Sequence, residues 1–540
     1  MNWSSKESPQ YQAIVIGAGV CGIYQALHLK KMGLPATVIE RADDVGGTWY
    51  WNRYPGCRFD SESETYGYSF SPEVLEEWNW SERFASRPET ERYLQYVVEK
   101  FDLRKLMQFG CSVTSAVWDE QERLWRVGLS DDRVLTTRFL LTAIGLLSEP
   151  TLPRYPGVSR FKGLSFHTYH APREPVEFRG KRVAVIGTGA TGVQFIAEIA
   201  DKVDSLTVFQ RRPNWCAPLN NALISLEQMQ EIRSRYSEIF KKCKSTAGGF
   251  VHDVDPRKAL DVSPGEREAF WEELYASPGF GIWIGNFKDV LTDFAANAEM
   301  SKFVARKIRE RVKDPRVAEK LIPKDHGFGT RRVPMETKYY EVYNRDNVTL
   351  VDISETPIEC ITETGIITSA QEHEFDIIVY ATGFDAITGA FDKIDIRGVD
   401  GQRLKDKWKD GPIAAYGLAV NGFPNLLTLA GPQSGSVATN FPRGIEEAVD
   451  WCTDLLHYAN LHGVTRLEAR RDTEEAWGVE VRKWAQRILF GSEQSWFTGY
   501  NSNVDRAPGI RYLIYAGGAP RFRKHVGGEA TQGYPGFELR

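Results

Sequence analysis

Closely spaced cysteines are absent from this sequence. Its seven cysteines are scattered over 540 residues, and the nearest two, Cys216 and Cys243, are 27 residues apart. A CxxC redox motif or a zinc site built on paired cysteines is therefore excluded. Because the number is also odd, we expect reduced, mostly buried thiols and no disulfide framework.

Long apolar runs and an excess of one charge are absent as well. No stretch approaches the roughly 20 apolar residues that a membrane-spanning helix needs, and the N-terminal segment MNWSSKESPQ has no apolar signal core. With 67 Lys and Arg against 72 Asp and Glu, the net charge of −5 gives no basic footprint for nucleic acid or an anionic membrane. Metal-ligand spacing is also missing. We therefore expect a cytoplasmic protein that binds no metal, no nucleic acid and no membrane.

The segment YQAIVIGAGVCG predicts a buried strand that runs into a glycine turn and then a helix. Gly17, Gly19 and Gly22 have the GxGxxG spacing of a dinucleotide-binding turn, which allows a tight bend and close approach of a pyrophosphate. Glu40 ends the next predicted strand, 18 residues after Gly22, where a carboxylate can accept hydrogen bonds from ribose hydroxyls. This first unit suits FAD or NAD.

The segment KRVAVIGTGATG repeats the pattern about 170 residues later. In place of the acid stands Gln210, and Arg211 and Arg212 follow it. Guanidinium groups bind a 2′-phosphate that a carboxylate would repel, so this second unit suits NADPH. The alternative is that the two arginines form a solvated turn. The residues expected at this turn are Gly187, Thr188, Gly189 and Gly192.

Two such units predict an α/β protein with two Rossmann-like dinucleotide-binding domains, one for FAD and one for NADPH. Charged amphipathic helix patterns between Leu223 and Val317 predict a helical insertion, and strand patterns return afterwards. Both domains are therefore completed late in the chain. The predicted boundaries are 1–150 and 384–540 for the FAD-binding domain, 151–215 and 332–383 for the NADPH-binding domain, and 216–331 for the helical insertion.

A protein that holds FAD and NADPH is an oxidoreductase in which NADPH reduces the flavin. What accepts the electrons next is the open point. Disulfide reductases pair two such domains, but they need two cysteines close together beside the flavin, which this sequence lacks. Molecular oxygen remains the natural acceptor.

Four further segments resemble the Baeyer–Villiger monooxygenase family of flavoproteins. GGTWYWNRYPGCRFDSES (46–63) is similar to the family's second fingerprint, and KDHGFGTRRVPMETKYYEVYNRDNV (324–348) to its active-site arginine segment. YATGFDAITG (380–389) resembles its returning strand, and SWFTGYN (495–501) its C-terminal substrate loop. The resemblance extends from near Tyr11 to the C-terminal YPGFELR, and it favours the branch that acts on cyclopentenylacetyl-CoA and cyclic ketones.

This resemblance implies that reduced FAD and O2 form a C4a-peroxyflavin, which inserts one oxygen next to the carbonyl of a small-molecule ketone. The expected product is an ester or lactone, and a cyclic ketone is the expected substrate. By motif position, Arg332 would stabilise negative charge on oxygen, Asp60 would orient Arg332, and Arg331 would reach the 2′-phosphate of NADPH. A surface ion pair of Arg332 with Asp325 or Glu336 is the alternative. The resemblance further implies cofactor contacts at Gly47, Thr48, Trp49 and Trp496.

The family signature FxGxxxHxxxW is complete except at its last position. Phe161, Gly163 and His167 match, but Ala171 stands where tryptophan is expected, with Pro172 in register. We expect His167 to link the two domains rather than to act as an acid or base. We expect Ala171 to change domain motion, or the coupling of NADPH oxidation to oxygen insertion, rather than the chemistry.

Two other functions stay open from the sequence. An N- or S-oxygenating flavin monooxygenase would use the same cofactors, but that subfamily lacks the Arg332 segment. A redox-silent nucleotide-binding protein has Ala171 as its only support. The stretch from Lys302 to Lys320 predicts one basic helix, either solvated or able to hold an anionic substrate such as a CoA ester. We expect a monomer or homodimer.

Overall fold

The computed structural model describes residues 9–436, 438–506 and 509–540. In chain order the strands are β1 (Tyr11–Ile16), β2 (Ala36–Ile39), β3 (Met107–Gln108), β4 (Val113–Asp119), β5 (Leu124–Leu129), β6 (Val134–Thr142), β7 (Leu164–His167), β8 (Arg182–Ile186), β9 (Ser205–Gln210), β10 (Ala217–Pro218), β11 (Met335–Glu336), β12 (Val348–Asp352), β13 (Ile358–Ile361), β14 (Gly365–Thr368), β15 (Glu372–Glu374), β16 (Ile377–Tyr380), β17 (Asp395–Arg397), β18 (Leu426–Thr428), β19 (Leu467–Ala469) and β20 (Phe537–Leu539).

The helices are α1 (Val20–Lys31), α2 (Thr48–Trp51), α3 (Ser63–Tyr66), α4 (Pro72–Glu77), α5 (Arg87–Lys100), α6 (Ala190–Ile199), α7 (Leu226–Ser245), α8 (Pro264–Ala276), α9 (Gly281–Ile284), α10 (Phe294–Arg311), α11 (Pro315–Leu321), α12 (Tyr339–Val342), α13 (Leu404–Lys407), α14 (Phe441–Leu461), α15 (Arg471–Ala485) and α16 (Ala519–Thr531). Among the described residues, no helix combines the length and the apolar character needed to cross a membrane.

The larger sheet has the strand order β17-β4-β5-β6-β1-β2-β3, and β18 also pairs with β6. Strands β3, β2, β1, β6 and β18 run parallel to their neighbours in that part of the sheet, whereas β5 is antiparallel to both β4 and β6. Helix α1 covers β1 and packs in turn on α14, where Tyr24 donates a hydrogen bond to Asp450 at 2.7 Å. A parallel sheet covered on its faces by helices needs continuous apolar strands, which explains the buried run of β1.

The smaller sheet is parallel throughout, in the order β12-β9-β8-β16-β7. Strands β7, β8 and β9 precede the helical region in the chain, and β12 and β16 follow it. Helices α7 to α11 lie between β10 and β11, and the antiparallel strands β13, β14 and β15 lie between β12 and β16. The predicted fold class, an α/β protein with two Rossmann-like units and a helical insertion, is confirmed.

The expectation of a single basic helix from Lys302 to Lys320 is wrong. Helix α10 ends at Arg311, and α11 begins at Pro315. Pro315 has no backbone N–H to continue the first helix, and Asp314 instead caps the second by accepting a hydrogen bond from the N–H of Arg316 at 2.8 Å.

Candidate active site

The first glycine turn leaves no room for a side chain at two of its glycines. A Cβ atom on Gly17 would lie 2.5 Å from the carbonyl oxygen of Ala143, and one on Gly22 would lie 1.8 Å from the carbonyl oxygen of Gly17. Gly17 also has a φ of +104°, which side-chain-bearing residues rarely adopt. A side chain at Gly17 would push the turn away from the end of β6, and one at Gly22 would separate α1 from the turn, so the turn can form only with glycine.

The second glycine turn repeats this geometry. Gly187 has a φ of +109°, a Cβ on it would lie 2.4 Å from the carbonyl oxygen of Ala381, and one on Gly192 would lie 2.3 Å from the oxygen of Gly187. The middle glycines differ between the two turns. Among the described residues, a Cβ on Gly189 would meet no atom within 4 Å, whereas one on Gly19 would lie 3.4 Å from the Cα of Gly47. The second fingerprint therefore covers the first turn, and the second turn is open.

A cavity of 310 Å³ lies at the first turn. Trp49 is buried beside it and donates its indole N–H to the hydroxyl of Tyr66 at 3.0 Å. The sequence-predicted residues that line this cavity are Gly17, Gly19, Glu40, Gly47, Thr48 and Trp49. Bare backbone at a helix N-terminus, a carboxylate at the end of the second strand and a buried aromatic ring together fit FAD.

Glu40 is held by backbone donors. Its two carboxylate oxygens accept hydrogen bonds from the N–H groups of Ala18 and Ala42, at 2.7 and 2.8 Å. The side chain is buried, and burial raises the pKa of Glu40 despite these two bonds. Each oxygen keeps a lone pair, so the carboxylate can still accept from ribose hydroxyls.

Two of the predicted arginines meet at one carboxylate. Arg331 lies 3.1 Å from Asp325, and Arg212 lies 3.8 Å from the same carboxylate. Burial alone would raise the pKa of Asp325, but the hydrogen bond with His326 and the charge of Arg331 lower it below its ordinary value. Arg211 turns elsewhere and contacts the hydroxyl of Ser502. Thr188 joins the turn to this region by donating to the carbonyl of Arg212 at 3.2 Å.

Arg332 pairs with Asp60. The Nη2 of Arg332 lies 2.6 Å from the Oδ2 of Asp60, and the Asp60 side chain is only 3% exposed. The guanidinium carbon lies 5.8 Å from the ring centre of Phe280. The two alternative carboxylates bind other arginines, Asp325 with Arg331 and Glu336 with Arg311. Nη1 of Arg332 is buried and finds no hydrogen-bond partner within the described part of the chain, so one donor is left for a ligand.

The family signature lies where the chain crosses between the two sheets. A Cβ on Gly163 would lie 2.5 Å from the oxygen of Asp376, which explains this glycine beside β16. His167 ends β7 with its Nδ1 accepting from the N–H of Tyr169 and its Nε2 3.1 Å from the carbonyl oxygen of Gly383. Burial lowers the pKa of His167 to about 4. The imidazole is therefore neutral, with its proton on Nε2, and it joins both crossing segments.

A stack that includes Tyr169, two residues before Ala171 in the chain, was missed by sequence reasoning. Tyr169 and Trp51 stack at 14° with ring centres 5.6 Å apart, and the Arg41 guanidinium lies 5.1 Å from the ring of Trp51. Arg41 also donates to the hydroxyl of Tyr169 at 2.6 Å. The sequence feature that points to this stack is the arginine directly after Glu40. Ala171 itself is buried.

Trp496 lies apart from the cavity at the first glycine turn and is not among its lining residues. It packs on Phe497, with ring centres 4.3 Å apart, in an apolar cluster that includes Leu146 and Trp283. Trp283 donates its indole N–H to the carbonyl of Gly329 at 3.1 Å. The structure therefore connects Trp496 to the arginine segment and not to the fingerprint.

Comparison with known proteins gives the same picture. Residues 14–259 match the family described as pyridine nucleotide-disulphide oxidoreductase. The 2-oxo-Δ3-4,5,5-trimethylcyclopentenylacetyl-CoA monooxygenase of Pseudomonas putida is 48% identical over 539 residues, covering 99% of each chain. A Baeyer–Villiger monooxygenase of Pseudooceanicola batsensis is 37% identical over 97% of this chain and 95% of its own. A crystal structure of OTEMO with FAD and NADP has a TM-score of 0.96 at 47% identity, covering 99% of this chain and 100% of the other.

All seven cysteines are free thiols, and the matched residues 14–259 include both glycine turns. The glycine turns, the cavity lined by the fingerprint and the near full-length similarity agree with one another. This chain belongs to the Baeyer–Villiger monooxygenase family, and it uses FAD, NADPH and O2 to insert one oxygen atom next to the carbonyl of a ketone.

Proposed function

We propose that this enzyme converts a bulky cyclic ketone into a lactone, with Arg332 and Asp60 as its catalytic residues. The observation that carries the proposal is the 2.6 Å ion pair between them, in which Nη1 of Arg332 has no hydrogen-bond partner among the described residues. The relative from Pseudomonas putida is named for a substituted cyclopentenyl ketone, which supports the cyclic substrate.

The charge of Arg332 acts where negative charge develops as the ketone carbonyl is attacked. A fixed guanidinium stabilises this charge without supplying a proton, because arginine stays protonated at any working pH. Asp60 holds the guanidinium in one orientation and prevents its rotation into solvent. Bound FAD, once reduced by NADPH, supplies the electrons that activate O2.

The cofactors are assigned to the two glycine turns. FAD would be held by Gly17, Gly19, Gly22, Glu40, Gly47, Thr48 and Trp49. NADPH would be held by Gly187, Thr188, Gly189, Gly192, Arg211, Arg212 and Arg331, with Trp496 closing over it from the C-terminal loop. The meeting of Arg212 and Arg331 at Asp325 supports a 2′-phosphate site there.

We propose a domain division along the two sheets. We assign 1–150 and 384–540 to FAD, 151–215 and 332–383 to NADPH, and 216–331 to the helical insertion. Strands β1 to β6, β17 and β18 form one sheet, and β7, β8, β9, β12 and β16 form the other, which supports this division.

A CoA group is not assigned to the basic residues of α10 and α11. Lys302, Lys307 and Arg309 of α10 lie 2.6, 2.9 and 2.7 Å from glutamates, and α10 and α11 are two separate helices and not one basic face. We further propose a cytoplasmic enzyme that acts as a monomer or homodimer. Its free cysteines, nearly all of them buried, support a reducing compartment.

The test is product analysis by mass spectrometry under ¹⁸O₂, with NADPH and a panel of cyclic, linear and aryl ketones, one CoA-linked cyclic ketone and a tertiary amine. A lactone carrying the label from the bulky cyclic ketone supports the proposal, and Arg332→Ala should abolish it. A labelled lactone that persists in Arg332→Ala would refute the role of the arginine. Label only in an N-oxide would refute the ketone substrate.

A further inference from the structure

A chain of hydrogen bonds runs from helix α6 into the Arg332–Asp60 pair. Gln194 of α6 donates from Nε2 to the Oδ1 of Asp60 at 3.3 Å and to the carbonyl of Arg58 at 3.0 Å. Its Oε1 accepts from the hydroxyl of Tyr54 at 2.8 Å. The carboxylate of Asp60 is therefore held on one oxygen by Arg332 and on the other by Gln194.

The orientation of the Gln194 amide is determined by the carbonyl oxygen of Arg58 and the carboxylate of Asp60, which can only accept, and Tyr54 donates to the remaining amide oxygen. Burial raises the pKa of Tyr54 well above its ordinary value, so the phenol stays protonated and donates. With its oxygen satisfied by Tyr54, the amide of Gln194 presents its NH₂ group to Asp60. The hydrogen bonds therefore run in one direction, from Tyr54 through Gln194 to Asp60.

The loop that carries Tyr54 and Asp60 lies directly on α6. A Cβ on Gly56, whose φ is +82°, would lie 2.9 Å from the carbonyl oxygen of Gln194 and 3.0 Å from the Cβ of Glu198. This close approach requires glycine at position 56. Helix α6 starts at the second glycine turn, and the loop follows the first, so Gln194 joins the two cofactor units.

We propose that Gln194 is a positioning residue for oxygen insertion. It fixes the carboxylate plane of Asp60, which in turn fixes the direction in which Arg332 presents its free N–H. Because α6 begins at the NADPH turn, the catalytic pair is correctly oriented only when the NADPH unit is seated against the FAD unit. This inference rests on the proposed role of Arg332 and Asp60.

Loss of the hydrogen bond between Gln194 and Asp60 should have a measurable effect on the rate of oxygenation. A hydrogen bond to a charged group corresponds to roughly a tenfold to hundredfold change in an equilibrium or rate. In Gln194→Leu, whose side chain is one atom shorter and cannot donate, we expect ketone oxygenation to fall by about that factor. Hydrogen peroxide should take the place of ester as the product of NADPH oxidation. The KM for NADPH should change little, because Gln194 is not among the phosphate-binding residues.

The pH dependence of the variants' oxygenation rates distinguishes a positioning role of Gln194 from a packing role. The carboxyl introduced by Gln194→Glu repels Asp60 when ionised and donates to Asp60 when protonated. The ratio of its oxygenation rate to that of the wild type should therefore rise as the pH falls, whereas the ratio for Gln194→Leu should stay constant. Tyr54→Phe, which removes the donor to the Oε1 of Gln194, should give a smaller loss of the same sign.

The experiment measures ester, peroxide and NADPH consumption between about pH 6 and pH 9 for these variants. Glu198→Gln, on the same helix with its carboxylate 2.6 Å from Lys202, is the matched control. A crystal structure of Gln194→Leu with bound cofactors provides a readout other than activity, and it should show Asp60 rotated away from Arg332.

The outcomes distinguish the two levels of the proposal. If Arg332→Ala abolishes ester formation while Gln194→Leu matches the wild type and the Gln194→Glu ratio is flat, the role of Gln194 is refuted and the catalytic pair stands. If Arg332→Ala still forms ester, the proposed function itself fails. If Gln194→Leu does not fold, the pH ratio of Gln194→Glu decides alone.

Discussion

Arg331 and Arg332 are neighbours in the chain, yet their guanidinium groups pair with different carboxylates. Arg331 lies 3.1 Å from Asp325, beside Arg212, and Arg332 lies 2.6 Å from Asp60, in the fingerprint that covers the first glycine turn. One short segment therefore contacts both the expected site of the 2′-phosphate and the expected site of oxygen insertion.

Substitution of Arg331 and of Arg332 should have different effects on the kinetics. Arg331→Ala should raise the KM for NADPH by about tenfold or more, since it removes a charge-assisted contact to phosphate, and should leave the KM for NADH unchanged. Arg332→Ala should keep NADPH oxidation and lose ester, with peroxide as the product. Steady-state kinetics with both nucleotides and product analysis measure these effects.

Lys324→Ala is the matched control for this segment, because Lys324 is exposed and pairs only loosely with Glu319 at 3.6 Å. An equal rise in the KM for NADPH and NADH in Arg331→Ala would contradict 2′-phosphate recognition.

Glu40 should determine FAD retention. Glu40→Ala leaves the N–H groups of Ala18 and Ala42 without their acceptor, at a cost of about 1–3 kcal/mol each, and removes the expected ribose contact. Glu40→Gln keeps one acceptor oxygen and should have a smaller effect. The ratio of flavin to protein absorbance after purification, together with the melting temperature, measures both. Full flavin content in Glu40→Ala would exclude this role.

His167 should make stability depend on pH in one direction. Burial lowers its pKa to about 4, whereas an unfolded histidine titrates near its ordinary value. Between about pH 6.5 and pH 4 the unfolded chain binds a proton that the folded protein does not, so this group's contribution to the free energy of unfolding is complete above pH 6.5 and falls as the pH falls. The loss is about 1.4 kcal/mol per pH unit.

The comparison of wild type with His167→Gln isolates this effect. The wild type should melt at a higher temperature than the variant at about pH 7.5, and the difference should shrink at about pH 5.5. A difference that grows on acidification would show that His167 is charged in the folded protein.

Ala171→Trp should disturb the stack of Tyr169, Trp51 and Arg41. Position 171 is buried, so the added indole forces neighbouring side chains to move, at about 1–3 kcal/mol. We expect a lower melting temperature and a changed ratio of peroxide to ester, because the stack joins segments of the two cofactor units. Unchanged stability together with an unchanged ratio would show that the missing tryptophan has no consequence for coupling.

The sequence by itself determined the local features. Strand, glycine turn, helix, strand and terminal acid lie within about 30 residues, so their spacing dictates their geometry without the rest of the chain. The same holds for the change from Glu40 to Gln210 and its arginines, and for the exclusion of disulfide chemistry. A resemblance in four short segments then pointed to oxygen insertion, because those residues lie around one reaction.

Tertiary structure alone decided which distant groups meet. Asp60 and Arg332 are 272 residues apart, and the sequence could pair them only by family analogy. Gln194 had no signal at all, because its hydrogen bond to Asp60 depends on how a loop of one unit rests on a helix of the other. Asp325 was considered as a partner of Arg332 and instead binds Arg331 and Arg212. Such contacts depend on the packing of whole sheets and helices against each other, and no short-range pattern in the chain records them.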